Sequence, residues 1–378
     1  MTLFSDPSVG LDDPMMQRAY ALAEQGRGTT SPNPLVGCVL VSEGRIVAEG
    51  FHARAGGPHA EAVALAVAGP RASGSHAYVT LEPCAHSGRT PPCVDALLAA
   101  GVAEVTIGMP DPTNEAGGGA RVLESAGVRI HWADDPAPFE VQNEAWLTRV
   151  RQGRPFVRVK VAVTLDGRLA LAARRRSAIT GDGGRAITMR LRREATAVAV
   201  GAATVDVDDP RLTAREPDGS DSARTPRRFV LSRTSVPPLR SCMFADGADC
   251  TFVTSTVVPA RALEELRAGG VRVLVYPYTA SLRGTLAAIA EDGVNDILVE
   301  AGPSMLSALW DGGLIDELVV VTAGGMGGNA APPLFLGQAD AEGGTLVPRF
   351  VPVEAGIVQG DAVTVWRPQR ERAPGKGM

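Results

Sequence analysis

The side chains with most to offer chemically are an imidazole, a carboxylate and two thiols. His59 and Glu61 stand in Pro58-His59-Ala60-Glu61, and Cys84 and Cys93 in Glu82-Pro83-Cys84-Ala85-His86-Ser87-Gly88-Arg89-Thr90-Pro91-Pro92-Cys93. One imidazole and two thiolates make a zinc site that keeps a fourth position for water, whose pKa the metal lowers to ~7. A nearby carboxylate can then move the proton. His-x-Glu with a later Pro-Cys and second Cys is the arrangement of zinc deaminases, the Glu serving as acid and base rather than ligand. The thiol spacing departs from the short Pro-Cys-x-x-Cys form, because eight residues separate Cys84 from Cys93.

Three elements must bring these groups together. A β-rich run, Ala77 to Leu81, ends in Glu-Pro-Cys; a polar loop follows, and Cys93 opens an apolar helical run to Ala100. A helix N-terminus favours thiolate over thiol, the form zinc requires. His59-Ala60-Glu61 runs into the Ala/Val-rich stretch to Ala68, which reads as a helix. Two positions apart on a helix means a rotation of ~200°, so His59 and Glu61 converge only at its first turn. Around them, Asp12-Asp13-Pro14 starts a helix over Met15 to Gln25, and Val36 to Val41 with Arg45 to Gly50 forms a hairpin. Strands at Glu104 to Gly108 and Val128 to Trp132 alternate with a helix at Ala120 to Ala126. The alternation argues for a layered α/β sheet. Gly117-Gly118-Gly119 is either an anion cradle or a plain helix entry.

At 378 residues and 45% hydrophobic content, the chain is long enough for two ordinary domains. The pattern breaks between Ala133 and Pro155, which predicts domains at 1–150 and 151–370, with a frayed charged tail from Arg367 and disorder over 371–378. The second half predicts strands at Phe156 to Val163, Ala195 to Val200, Phe229 to Leu231, Cys250 to Thr254, Val271 to Tyr276, Ile297 to Glu300 and Leu318 to Thr322. Helices are expected at Gly181 to Arg193, Pro259 to Ala268, Ser281 to Asp292 and Ser304 to Asp311. Net charge −5 and pI about 5.7 argue against nucleic acid and anionic membranes as partners and for a small molecule. Met1 to Asp13 is polar and acidic, and no run approaches membrane-span length, so a cytoplasmic location is expected. Five cysteines, odd and sparse, do not describe a disulfide framework. Cys38, Cys242 and Cys250 read as ordinary thiols, and His76 and His131 as surface or strand-end residues.

The long Cys84 to Cys93 loop, with Pro32-Asn33-Pro34-Leu35-Val36-Gly37-Cys38-Val39 and His59-Ala60-Glu61, resembles the bifunctional deaminase/reductase family of riboflavin biosynthesis. Phe156-Val157-Arg158-Val159-Lys160 through Asp166-Gly167-Arg168, Asp208-Asp209-Pro210-Arg211-Leu212-Thr213 and Glu300-Ala301-Gly302-Pro303-Ser304 resemble its reductase half. The resemblance implies a cytidine-deaminase-like three-layer α/β/α domain followed by a dihydrofolate-reductase-like α/β domain. It implies Zn2+ on His59, Cys84 and Cys93, with Glu61 as proton shuttle. The substrate implied is a 2,5-diamino-6-ribosylamino-4(3H)-pyrimidinone 5′-phosphate, a phosphorylated pyrimidine held by Asn33, His52, His86 and Thr90. In the second half it implies NADPH at Ala162, Thr204, Asp208, Ala301, Gly302, Pro303 and Ser304. Lys160, Asp208 and Glu300 would serve the ribose being reduced, and Arg192, Leu212 and Arg215 would hold the substrate and its phosphate. The chain departs from the family pattern at Ala178 and at Ser232-Arg233. The residues themselves leave NADPH against NADH, and homo-oligomerisation, open.

Overall fold

The computed structural model describes all residues except 1–2, 5–9, 87–90, 245–248, 338–339, 343–344, 347–348 and 370–378. The chain forms two compact units, Met1–Gly153 and Arg154–Met378.

In the first unit, Asp13 starts helix α1 (Pro14–Glu24) by accepting the amides of Met15 and Met16 at 2.7 and 3.3 Å, with Pro14 at the first helical position. Strands β1 (Gly37–Ser42) and β2 (Arg45–Phe51) pair antiparallel, and β3 (His76–Val79) pairs antiparallel with the other edge of β1. Helix α2 (Ala60–Ala68) precedes β3. Helices α3 (Cys93–Ala99) and α4 (Gly119–Ser125) connect β3 to the parallel strands β4 (Glu104–Ile107) and β5 (Arg129–Trp132), giving the order β2-β1-β3-β4-β5. The period of two sends Cys38 and Leu40 to one face, where α2, α3 and α4 cover them, and Val39 to the other, against α1. Helices α5 (Ala137–Gln142) and α6 (Glu144–Gln152) join α1 on that second face through Tyr20, Phe139 and Trp146. The result is the expected three-layer α/β/α arrangement. Strand β3 stops two residues earlier than predicted. Thr80 still bonds Gly37 of β1 through its amide and hydroxyl, and Leu81 packs into the cluster under α1 and α6.

The second unit is built on a nine-stranded sheet. Its strands are β6 (Phe156–Val163), β7 (Ala197–Gly201), β8 (Arg227–Leu231), β9 (Cys250–Ser255), β10 (Arg272–Tyr276), β11 (Asp296–Glu300), β12 (Glu317–Thr322), β15 (Phe350–Val358) and β16 (Asp361–Pro368), with the short pair β13 (Ala341–Glu342) and β14 (Thr345–Leu346) apart from it. The order is β10-β9-β8-β7-β11-β6-β12-β16-β15, parallel from β10 through β12 and antiparallel thereafter. Helices α7 (Asp182–Glu194), α9 (Ala260–Ala268), α10 (Leu282–Glu291) and α11 (Pro303–Asp311) follow the predicted spans within two residues. On one face Val157, Val159, Val161, Phe229, Ile297 and Val299 pack against Leu286, Ile289, Leu306 and Leu309. β6 alternates Val157, Val159, Val161 and Val163 with Arg158, Lys160 and Ala162, so the valines feed this core and Lys160 lies on the other face.

Three features depart from expectation. Helix α8 (Ala202–Asp208) follows β7 directly, where the sequence was read only as a motif. The hairpin β15–β16 was missed because Pro352 interrupts its first strand and its turn is Gln359-Gly360 rather than Asn-Gly; both turn residues take positive φ, 47° and 90°. Pro352 is tolerated because β15 is the edge strand. Arg367 and Pro368, read as tail, complete β16, and Arg367 Nη2 donates to Glu317 Oε2 at 2.7 Å. The expected disorder over 371–378 lies outside the described residues.

Candidate active sites

His59 is the N-cap of α2 in extended conformation (φ −73°, ψ 161°), and Glu61 lies in the first helical turn. The imidazole therefore leaves the chain outside the helix, which is how two residues so close in sequence aim at one place. Cys84 sits in the loop after β3 and Cys93 is the first residue of α3. Their ligand atoms, with that of His59, lie within 4.8 Å of one another. His59 Nδ1 is 3.2 Å from Cys93 Sγ and 3.6 Å from Cys84 Sγ, and the Cys93 amide donates to Cys84 Sγ at 3.4 Å. Hydrogen bonding from Cys93, helped by His59, holds the Cys84 thiol well below its usual range despite burial. One imidazole and two soft sulfurs at this separation suit zinc. Glu61 is 3% exposed, and burial raises its carboxyl above the usual range.

His59, Glu61 and Cys84 line a cavity of about 490 Å³ that also reaches Asn33, His52 and His86, a volume typical of small-molecule sites. His52 is buried, its Nδ1 donates to the Pro58 carbonyl at 2.9 Å, and its Nε2 takes the Asn33 amide at 3.0 Å. Burial lowers its pKa, so this is a neutral imidazole that fixes both Asn33 and the residue before His59. Thr90 lies outside the described residues. The cavity wall contains residues the sequence did not single out: Asp111, Thr113 and Glu115 from the loop after β4, and Trp146 and Arg149 from α6. The remaining cue was that strand-end loops carry sites.

Glu82 was also missed. Its Oε1 accepts the amides of Gly118 and Ala120 at 3.1 and 3.0 Å, and its Oε2 accepts that of Asp111 at 3.1 Å. The glycine-rich loop thus cradles an anion that belongs to the protein. Gly119 is required there, since a Cβ would run into the Pro83 carbonyl. Two residues downstream of this anchor stands Cys84. Of the other thiols, Cys38 is fully buried in the core. A second gathering of donors, His76, Glu104 and His131, lies across β3, β4 and β5, with Glu104 bound by Arg129 and His131.

In the second unit, Lys160 and Glu300 are register partners on β6 and β11, on the face opposite the apolar cluster. Arg192 on α7 meets Glu300 through two bonds, Nε to Oε1 at 2.5 Å and Nη2 to Oε2 at 2.8 Å, and donates to the Thr213 carbonyl at 2.9 Å. Burial would raise Glu300, but Arg192 and Lys160 outweigh it and hold the carboxylate below its usual range. Desolvation lowers Lys160, against the pull of Glu300. Asp208, at the end of α8, feels both Arg176 and Glu300, and burial raises it. Thr204 is also on α8, and its Oγ1 stands 3.8 Å from where a Cβ of Gly302 would be. Lys160, Arg192, Thr204, Asp208, Glu300 and Gly302 therefore share one region.

Two further substrate candidates lie in the stretch after α8. Leu212 has a buried side chain and a positive φ of 54°, so only its backbone can face a ligand. Arg215 is exposed, 3.9 Å from Asp221. Asp361, unforeseen, anchors α7 by accepting the amides of Gly181 and Gly184 at 3.1 and 2.8 Å. Ala301 to Ser304 join β11 to α11, whose first amides have no intrahelical acceptor. An added Cβ at Gly201 or Gly302 would meet nothing nearer than 3.8 Å, so the strand ends there are open, as a dinucleotide phosphate needs.

Layered sheet, three donors and buried carboxylate are the parts of a zinc deaminase, and the largely parallel sheet with its open carboxyl edge is of the kind that binds nucleotides. Residues 10–109 match the cytidine and deoxycytidylate deaminase zinc-binding region, and residues 155–355 match the RibD C-terminal domain. The riboflavin biosynthesis protein RibD of Escherichia coli is 41% identical over 326 residues, covering 82% of this chain and 87% of that protein; RibD of Haemophilus influenzae is 39% identical, covering 82% and 84%. Among solved structures, RibD of Acinetobacter baumannii superposes with a TM-score of 0.86 at 35% identity, covering 94% of this chain and 98% of that one. The diaminohydroxyphosphoribosylaminopyrimidine deaminase/5-amino-6-(5-phosphoribosylamino)uracil reductase of Thermotoga maritima gives 0.80 at 30% identity, with the same coverage. The chain belongs to the RibD family. It is a bifunctional deaminase and reductase of riboflavin biosynthesis, with zinc and NADPH as cofactors. Among the described residues no helix is long and apolar enough to cross a membrane.

Proposed function

We propose that the first domain, 1–150, hydrolyses 2,5-diamino-6-ribosylamino-4(3H)-pyrimidinone 5′-phosphate to the aminouracil and ammonia, and that the second, 151–370, reduces the ribosyl group of that product to ribityl. The observation that carries the reading is the buried Glu61 in one cavity with His59 and Cys84, whose donor set Cys93 completes. His59, Cys84 and Cys93 would hold the metal. When bound, zinc supplies an activated water and NADPH the reducing equivalent. Glu61 takes the water's proton and returns one to the departing ammonia; its burial keeps that proton from bulk water. Asn33, locked by His52, and His86 offer amide and imidazole to the polar edge of the base.

In the second domain, Glu300 and Lys160 present a carboxylate and an amine toward C1′ of the ribose, with Asp208 beside them. Arg192 is a positioning residue that fixes Glu300. Ala162, Thr204 and Ala301 to Ser304 face the cofactor, and Leu212, through its backbone, and Arg215 lie toward the substrate phosphate. The test is to incubate the purified protein with the diaminopyrimidinone phosphate, with and without NADPH, and identify the products. Ribitylaminouracil phosphate with NADPH, and the unreduced aminouracil without it, are expected. Unreduced aminouracil accumulating in the presence of NADPH would refute the second step. Glu61→Gln separates catalysis from a structural metal: zinc should be retained while ammonia release falls by about 10²-fold or more.

A further inference from the structure

Past Ser304, the open carboxyl edge of the sheet continues into a second cavity of about 340 Å³. It lies at the ends of β8, β9 and β10 and is closed by the first turns of α10 and α11. Its walls are apolar where Leu231, Val253, Leu282, Met305 and Ala308 face it. At one side stand Ser232, Arg233 and Ser255. Arg233 is the one charged residue among the described lining, and neither Asp nor Glu lines the cavity.

That charge pattern discriminates between two dinucleotides. A site at the carboxyl ends of parallel strands that takes NADH offers a carboxylate to the ribose 2′-hydroxyl, whereas an arginine in that place accommodates a 2′-phosphate. Arg233 is also held in advance. Its guanidinium carbon lies 4.4 Å from the centroid of the Tyr278 ring, and its Nη2 donates to the Tyr278 carbonyl at 2.5 Å. Its own carbonyl accepts Ser255 Oγ at 2.6 Å. Among the described residues, Nε and Nη1 meet no protein acceptor and no carboxylate pairs with the side chain. A planar fork stacked on one face and tethered at one corner keeps its remaining donors for a phosphate, with little ordering left to do on binding.

We propose that this cavity receives the adenosine half of NADPH, with adenine between the apolar walls, and that Arg233, with Ser232 and Ser255, reads the 2′-phosphate and so sets the preference for NADPH over NADH. The proposal rests on the reductase reading, and its test is therefore made without turnover. Binding of 2′,5′-ADP and 5′-AMP to the full chain is measured by calorimetry for the parent and for Arg233→Ala and Arg233→Lys. Parent protein should bind 2′,5′-ADP about 10- to 100-fold more tightly than 5′-AMP, as expected for a charge-assisted paired contact. Arg233→Ala should lose that difference, and Arg233→Lys should keep part of it. In turnover, the NADPH to NADH ratio of kcat/KM should collapse by the same factor in Arg233→Ala. Arg233 is exposed, so unchanged thermal melting serves as the folding control. Equal affinity of the parent for the two nucleotides, no binding of 2′,5′-ADP, or equal loss of both in Arg233→Ala would overturn the proposal. Arg233-dependent binding of 2′,5′-ADP in a protein that never oxidises NADPH would uphold it and sink the reductase reading instead.

Discussion

Glu82→Gln probes the link between fold and metal centre at a residue outside the donor set that also lines the wall of the same cavity. The carboxylate accepts three amides, two at Oε1 and one at Oε2. Bonds to a charged acceptor contribute ~1.5–3 kcal/mol net, and neutral ones ~0.5–1.5. With the new amide oxygen toward Gly118 and Ala120, those two bonds become neutral, a loss of about 1 kcal/mol each. The new NH2 then confronts the Asp111 N–H, which forfeits that bond altogether, about 2 kcal/mol more. The cheaper burial of a neutral amide offsets part of this. A net 2–4 kcal/mol remains, equivalent to a roughly 30- to 700-fold rise in local opening. Hydrogen-exchange mass spectrometry should report it at the amides of Asp111, Gly118 and Ala120, with faster zinc loss to a chelator because Cys84 follows the anchor. Exchange and zinc release both within twofold of the parent protein would refute the reasoning.

Further expectations follow from the same geometry. Gly119→Ala drives a methyl into the Pro83 carbonyl and should cost about 2 kcal/mol or more, read as reduced zinc content and a lower melting temperature of the first unit; a neutral result would contradict the close approach. Removing zinc should abolish ammonia release while NADPH oxidation on supplied aminouracil phosphate continues, because the described residues of the second unit gather no metal donor set; loss of both activities would argue otherwise. Arg192→Met leaves Glu300 without its main partner and should destabilise by ~3–5 kcal/mol. Glu300 is depressed in the folded protein, so its stabilisation is present above the unfolded carboxyl pKa of ~4.3 and is lost as pH falls through the lower folded value. In Arg192→Met burial is left to raise Glu300, so that acid loss should shrink or reverse, and the deficit against the parent should narrow as pH falls. Identical pH profiles of melting for the two proteins would remove Arg192 from this role.

The elements were largely legible because helix caps and two-residue alternation are local. Pro14 after Asp13, the apolar run after His59 and the valines of β6 each carry their own signal, and they placed most helices and strands within two residues. The misses have equally local causes, such as Pro352 and the Gln359-Gly360 turn. The zinc donors were legible too, because an imidazole and two thiols with a carboxylate form a rare set, and helix starts supply the direction in which they point.

What the sequence by itself determined is therefore the chemistry available and the elements that carry it: His59, Glu61, Cys84 and Cys93 at the edges of short strands and helices. Only the tertiary structure decided which distant groups complete each site. Glu82 meets Ala120 across 38 residues, Arg192 meets Glu300 across 108, and Asp361 meets Gly184 across 177. Such partners are selected by strand order and register, which place chain ends side by side regardless of their separation in sequence. No local pattern encodes those pairings. They turned a glycine-rich anion cradle into an internal clasp and gave Arg192 a paired contact with Glu300.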